Sequence, residues 1–156
     1  MDSERRLTRD DLRGWYLCDK YSEEQLDALF LGRAAVCVFM LLSAPISLGD
    51  RLFILMRSRI LSEEKKGELA TWFSENTLLP DSKWAKLSRD AAEGVQFCIP
   101  SWTAGDYNVE PRLASLQGNT RRLVFAAMWS LAAAKTVGLG KEFLKTVFSR
   151  IRREVL

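Results

Sequence analysis

The chain has 156 residues, of which 47% are hydrophobic, with only four prolines and nine glycines; this composition predicts a folded globular protein and excludes a disordered one. Histidine is absent, which removes the commonest general base and the commonest metal ligand. Residues 1–111 contain 14 Lys/Arg against 18 Asp/Glu, whereas residues 112–156 contain nine against two. The net charge of +3 therefore combines an acidic first part with a basic last part, which we expect to bind polyanions.

The cysteines and the most apolar segment indicate where the chain functions. Cys18, Cys37 and Cys98 are far apart and show no CxxC pairing, so we expect reduced, mostly buried thiols in a reducing compartment. The charged start, MDSERRLTRDD, does not resemble a secretory signal. The apolar run Ala34–Ala44 has 11 residues, whereas a membrane-spanning helix needs about 20. We therefore expect a buried helix there.

Start and stop signals divide the chain into helices. Thr8 is expected to cap a first helix that reaches about Cys18, and Ser22 forms a capping box with Gln25 for the second, which closes near Gly32. We predict the buried central helix at Arg33–Ser43, ended by Pro45. Further helices are predicted at Leu48–Leu61, Ser62–Asn76, Asp81–Glu93, Pro111–Leu116, Arg121–Val137 with Thr120 as its cap, and Lys141–Val155, with a short extended piece at Val95–Ile99.

This pattern predicts an all-α fold, a compact bundle of about eight or nine helices with few or no strands, in two sub-lobes. Turn-forming residues cluster in residues 100–110, where the charge balance also changes sign. We therefore predict an N-terminal helical lobe at residues 1–99, a linker loop at residues 100–110 and a basic C-terminal helical lobe at residues 111–156.

Catalytic motifs are absent from the sequence. The acidic pairs that begin at Asp10, Glu23 and Glu63 lie in the first turns of predicted helices, where they complement the helix dipole. No phosphate-binding loop, dinucleotide fingerprint, zinc-protease motif or nucleophile elbow occurs. We predict no catalytic, cofactor-binding or metal-binding residue, and a protein that is not an enzyme.

The basic residues are the best candidates for a binding site. On a helical wheel of Lys141–Val155, one face is apolar, and Lys141, Lys145 and Arg152 form a row beside it. Such a row can lie on an anionic leaflet, or it can be the solvated rim of a helix packed on the core; both interpretations stay open. The predicted site for anionic lipid or another polyanion is Arg121, Arg122, Lys141, Lys145, Arg150, Arg152 and Arg153, with secondary basic sites at Arg57, Arg59, Lys83, Lys86 and Arg89.

Two segments resemble the N-terminal domain of orthomyxovirus matrix proteins, the influenza-type family, including its thogotovirus branch. Val38–Leu52, VFMLLSAPISLGDRL, contains an apolar helix followed by a proline and a glycine at the family's separation. Lys83–Arg89, KWAKLSR, is similar to the family's KAVKLYR segment, although Asp90 and Glu93 follow here in place of further basic residues.

The resemblance implies a structural protein of the virion that self-assembles, head to tail or edge to edge, into a layer beneath the envelope. Its implied partners are other copies of itself, the anionic inner leaflet of the membrane, viral ribonucleoprotein and RNA bound without sequence specificity. It implies localisation to the virion and to the host cytoplasm, nucleus and inner face of the plasma membrane, and a further C-terminal helical region beyond residue 156. The alternative prediction is a helical adaptor, similar to apoptosis regulators, that binds an amphipathic peptide in a groove around its buried helix.

Overall fold

A computed structural model of the chain describes residues 6–14, 21–42, 44–46, 48–57, 59–99, 113 and 116–155. The elements in this part are, in chain order, β1 Arg6–Thr8, α1 Arg9–Gly14, α2 Glu23–Phe30, β2 Ala35–Cys37, α3 Val38–Leu42, α4 Leu48–Arg57, α5 Glu63–Glu75, α6 Lys83–Ala92, α7 Gly118–Thr136 and α8 Gly140–Val155. The protein is mostly helical, as expected for the all-α class. The described residues form seven helices of six residues or more, with α3 as a further single turn. The count in this part of the chain differs from the predicted eight or nine.

The predicted central helix at Arg33–Ser43 is wrong over its first half. Ala35–Cys37 is a strand that pairs antiparallel with Arg6–Thr8, with Leu7 opposite Val36. Both of these side chains are buried in the core. A short apolar run fits a strand as well as a helix, and here the pairing with the first strand decides the outcome.

Local start signals predicted several helix boundaries correctly. Ser22 and Gln25 form the predicted capping box, and Ser62 caps α5 by accepting a hydrogen bond from the Lys65 N–H. Thr120 does not cap α7, because this helix begins at Gly118 and places Thr120 inside it. Tertiary packing explains the difference, since the Thr120 hydroxyl accepts a hydrogen bond from the Lys66 Nζ at 2.8 Å.

Other predicted boundaries differ from the structure or lie outside the described residues. The predicted helix Leu48–Leu61 ends at Arg57, and residues 95–99 form no regular strand. The first helix is described over Arg9–Gly14, and its predicted end at Cys18 lies outside the described residues. The predicted helix at 111–116 lies largely outside them as well.

The buried centre of the fold is α7. This helix buries residues around most of its circumference, among them Leu123, Phe125, Ala126 and Ala133, which is the pattern of a helix enclosed by others. It begins beside the start of α5, where Lys66 contacts Thr120.

Hydrogen bonds fix the directions of the helices around α7. Near the end of α5, the Thr77 and Ser130 hydroxyl oxygens are 2.6 Å apart, so α5 runs parallel to α7. Helix α6 runs in the opposite direction. Ser88, in the middle of α6, donates to the carbonyl of Ala126 in the middle of α7, and the carbonyl of Ala92, at the end of α6, accepts from Arg122 near the start of α7. Helix α6 is therefore antiparallel to α7.

The predicted linker at residues 100–110 lies outside the described residues, and the division into two lobes stays a prediction. The helices on either side of it share one apolar core. In that core, α7 packs against both α5 and α6.

Candidate anion-binding surface

Helix α8 carries the predicted row of cations, and its apolar face is packed on the core. Val147 and Ile151 are buried at 2% and 1% exposure, and Phe143, Leu144 and Phe148 are partly buried against the same core. The Phe143 ring lies 6.2 Å from that of Phe73 on α5. The predicted apolar stripe is therefore confirmed for Leu144, Val147, Phe148 and Ile151, while the side chain of its fifth member, Val155, lies outside the described residues.

The predicted row lies on the exposed side of α8. Lys141, Lys145 and Arg152 are all exposed, and so is Arg153. Lys141 and Arg152 are 11 residues apart, which is about 16 Å along a helix. Because the opposite face is fixed to the core, these cations project together from a rigid element and can bind a polyanion.

Arg150 has a different position from the rest of the predicted site. Its guanidinium lies over the Trp72 ring, with Cζ 5.7 Å from the ring centroid, and its Nη2 is 3.4 Å from a Glu154 oxygen. Glu154 also pairs with Lys65 at the start of α5, at 3.1 Å. The Lys65 ammonium holds the pKa of the Glu154 carboxyl below its usual range. These contacts fasten the end of α8 to α5, so Arg150 acts in packing.

Arg121 and Arg122, at the start of α7, have unequal exposure. Arg122 is half-buried and donates from Nε to the Ala92 carbonyl at 2.7 Å and from Nη1 to Asn119 at 2.9 Å. Arg121 is exposed, with its guanidinium carbon 4.0 Å from the centroid of the Phe97 ring. Arg121 can reach a ligand, whereas Arg122 joins the end of α6 to α7.

The secondary basic residues are also unequal. Lys83, Lys86 and Arg89 lie on the exposed face of α6, where Lys83 Nζ sits 4.4 Å above the Trp84 ring and Arg89 donates to the Pro80 carbonyl. Arg59 is exposed. Partial burial lowers the pKa of Arg57.

The predicted cations do not form one cluster, because they lie at two ends of the bundle. The Lys65–Glu154 pair places the end of α8 beside the start of α5, so Arg152 and Arg153 are at the same end as Arg121. Lys141 lies at the opposite end, where α7 finishes and α6 begins. The sequence pattern of α8 predicted the row of cations along that helix. It carried no information on which ends of α6, α7 and α8 lie at the same end of the bundle.

One buried cation was missed by the sequence reasoning. Lys66 on α5 is only 4% exposed, and its pKa is lowered, chiefly by burial, although Glu63 opposes the shift. Its ammonium donates to the Thr120 hydroxyl. No local signal distinguishes it from its exposed neighbour Lys65, and its role is in packing.

Several other features limit the chemistry of the described residues. Cys37 and Cys98 are free thiols of intermediate burial; Cys18 lies outside that part of the chain. Within the described ranges, no Cys, Asp and Glu side chains gather in a group of three that could hold a metal ion. No helix in the same ranges is both long and apolar enough to cross a bilayer.

Two apolar cavities open on the described part of the molecule. One, of about 130 Å³, lies between α4, α7 and α8 and is lined by Phe73, Val147 and their neighbours. The other, of about 240 Å³, lies beside α3 and is lined by Leu29, Leu31, Met40 and neighbouring residues. Both are below the roughly 300–1,000 Å³ of typical ligand pockets.

Comparisons of the chain with models of protein families, with curated proteins and with solved structures found no match.

Proposed function

We propose that this chain is a structural protein of the viral matrix type, which binds anionic lipid through the exposed cations of α8 and self-assembles into a layer. The observation that carries the proposal is the division of α8 into a face fixed to the core by Val147 and Ile151 and an exposed face with Lys141, Lys145, Arg152 and Arg153. The matrix-type segments at Val38–Leu52 and Lys83–Arg89 support it.

The energetics favour reversible binding. Each basic residue near an anionic leaflet contributes about 1 kcal/mol, so four cations together contribute roughly 4 kcal/mol. Screening by salt weakens this attraction, because the Debye length shortens to about 3 Å at 1 M ionic strength. Such a protein would bind the inner leaflet in concert with its neighbours in a layer. The proposal places it in the virion beneath the envelope, and in the host cytoplasm, nucleus and inner face of the plasma membrane.

Self-assembly and contact with ribonucleoprotein are parts of the same proposal. The acidic surface near the start of the chain is partly neutralised internally, since Arg13 pairs with both Asp10 and Glu23 and Arg9 pairs with Asp27. Because this pairing reduces the charge that the acidic surface presents, assembly between copies would depend on charge attraction only in part. Binding to RNA would use phosphate contacts alone, without sequence specificity.

Co-sedimentation with vesicles tests the lipid part. We expect the protein to bind vesicles that contain phosphatidylserine, to release at about 0.5 M salt, and not to bind neutral vesicles. The variant Lys141→Glu, Lys145→Glu, Arg152→Glu should lose binding while keeping the circular dichroism and the melting temperature of the wild type, because all three side chains are exposed.

A control variant with the same change in net charge distinguishes binding through α8 from an effect of the protein's total charge. Arg6→Glu, Arg13→Glu, Arg33→Glu reverses three exposed cations outside the predicted site and should keep most of the binding. Equal loss in both triple variants, or equal binding of the wild type to neutral vesicles, would contradict binding through α8.

The second candidate, a helical adaptor, is favoured by one observation. The cavity beside α3 has Leu31, 63% exposed, at its edge, and it could receive an apolar side chain of a partner peptide. Sedimentation velocity distinguishes the two functions: an adaptor should stay monomeric as the concentration rises, whereas a matrix-type protein should form larger species.

A further inference from the structure

The cavity between α4, α7 and α8 has the size and lining of a site for a hydrocarbon group. Its volume is about 130 Å³, and all 12 described residues that line it are apolar. None of these side chains can therefore hold a polar ligand atom inside the cavity. An apolar cavity of roughly 150 Å³ in another protein stays free of water and binds benzene. A hydrocarbon group of similar size fits here.

The burial of the lining residues indicates where the cavity opens. Phe73 and Val147 are 1% and 2% exposed, so their part of the cavity lies deep in the core. Met128, Leu131 and Leu144 also line the cavity, but they are only partly buried. These three residues lie in the later half of α7 and near the start of α8. The opening is therefore at the end of the bundle where α7 finishes and α8 begins.

The turn between α7 and α8 gives this opening a defined shape. The Leu139 N–H donates to the Ala134 carbonyl, and the Phe143 N–H donates to the Leu139 carbonyl, both at 2.9 Å. A Cβ at Gly140 would lie 3.1 Å from the Lys135 Cγ. The stem of Lys135 therefore lies directly against the start of α8.

Two lysines flank the opening. Lys135 follows Leu131 by four residues, so it lies on the same face of α7, about 6 Å further along the helix. Lys141 precedes Leu144 by three residues, which is about 4.5 Å along α8. Both lysines are exposed, and among the described residues neither lies within 4.0 Å of a carboxylate oxygen.

The carboxylates at this end of the bundle lie away from the opening. Glu142 is two residues before Leu144, which places it about 160° around α8 from that residue. Glu75 and Asp81 belong to the end of α5 and to the loop before α6, whereas α7 and α8 form the opening. The charge at the opening itself is therefore positive.

We infer that the cavity binds the alkyl chain of a free fatty acid, whose carboxylate pairs with Lys135 and Lys141 at the opening. The volume is below that of pockets that enclose a whole ligand, so only the end of the chain enters. One chain with one anionic group matches one apolar cavity beside two lysines, whereas a membrane phospholipid brings two chains. The inference does not rest on the proposed function, because a free fatty acid can bind whether or not the protein binds a bilayer.

Isothermal titration calorimetry with saturated fatty acids of increasing length tests the inference. Each buried CH₂ group should strengthen binding about 4-fold, starting from butanoate, until the cavity is filled. The affinity should change little for longer chains. Decyltrimethylammonium, which has a chain of the same length as decanoate and a cationic head, should bind more weakly than decanoate.

Substitutions locate the site. Ala127 lines the cavity, so Ala127→Leu places three further carbon atoms in it and should weaken decanoate binding roughly 10-fold without lowering the melting temperature. If this variant does not fold, Ala127→Val tests the same point. Lys135→Gln, Lys141→Gln should weaken decanoate binding about 5-fold. The control Lys86→Gln, Arg89→Gln, on the exposed face of α6, should bind like the wild type.

Several results would overturn the inference. Unchanged binding of decanoate to the folded Ala127 variant, or equal binding of decyltrimethylammonium, would show adsorption elsewhere on the surface. Equal losses in the two double variants would show that Lys135 and Lys141 do not hold the carboxylate. If decanoate does not bind, but Ala127→Leu weakens binding to phosphatidylserine vesicles, the cavity takes a membrane lipid instead. The vesicle experiments above contain no free fatty acid, so failure of either proposal is seen independently of the other.

Discussion

Replacement of Ile151 by alanine tests whether α8 is part of the folded core. Ile151 is 1% exposed, and the substitution removes three buried carbon atoms. At about 0.8 kcal/mol per buried CH₂ group, the loss of transfer free energy is about 2.4 kcal/mol. The cavity left behind raises the total to about 3–4 kcal/mol, within the range observed for such truncations. For a chain of this size, the melting temperature should fall by about 10 °C.

Urea denaturation followed by circular dichroism measures this loss, with Ser149→Ala as the control on the exposed face of the same helix. The control should change the free energy of unfolding by less than about 0.5 kcal/mol. The denaturant slope should be equal in all three proteins, because α8 unfolds with the rest of the core. A loss below about 1 kcal/mol, or a smaller slope for the wild type than its size requires, would refute the packing of α8 and with it the rigid display of Lys141 and Lys145.

Substitutions at two further residues, Ser130 and Lys66, test the buried polar contacts. Ser130→Ala should lower the free energy of unfolding by only about 1 kcal/mol, since the Thr77 and Ser88 hydroxyls keep backbone carbonyl partners. Ser130→Val should lower it by about 1–3 kcal/mol, because the larger side chain overpacks the site. Equal losses for the two variants on chemical denaturation would contradict this difference. Burial lowers the pKa of Lys66. Between this lowered pKa and the ordinary value, the unfolded chain therefore binds more protons than the folded chain. The free energy of unfolding of the wild type should rise with pH across this alkaline range. Lys66→Met should lack that rise in thermal melts recorded from neutral to alkaline pH, and a parallel pH dependence in both proteins would show that Lys66 does not cause it.

The membrane proposal has a structural consequence for how the cations act. The Lys65–Glu154 and Arg150–Glu154 pairs hold one end of α8, and the turn at Gly138, with φ 77°, fixes the other. The exposed cations therefore approach a surface without a prior change of fold. This arrangement is expected to favour fast, reversible binding.

Local chemistry in the sequence was sufficient for some elements. Ser22 and Ser62 cap their helices because a hydroxyl next to free backbone N–H groups needs no distant partner. The amphipathic pattern of α8 likewise determined which of its faces is buried, since Val147 and Ile151 must leave water together.

Only the tertiary structure decided the rest. Ala35–Cys37 became a strand because Arg6–Thr8, far away in the sequence, pairs with it. The side chains of Arg122 and Arg150 are chemically the same as those of Arg121 and Arg152. They take part in packing because Arg122 meets a backbone carbonyl of another helix and Arg150 meets an aromatic ring of another helix. The sequence by itself determined the helical class and the charge of each segment, because both depend on residues close in the chain. The parallel packing of α5 on α7 depends on contacts between residues far apart in the chain and was set by the fold.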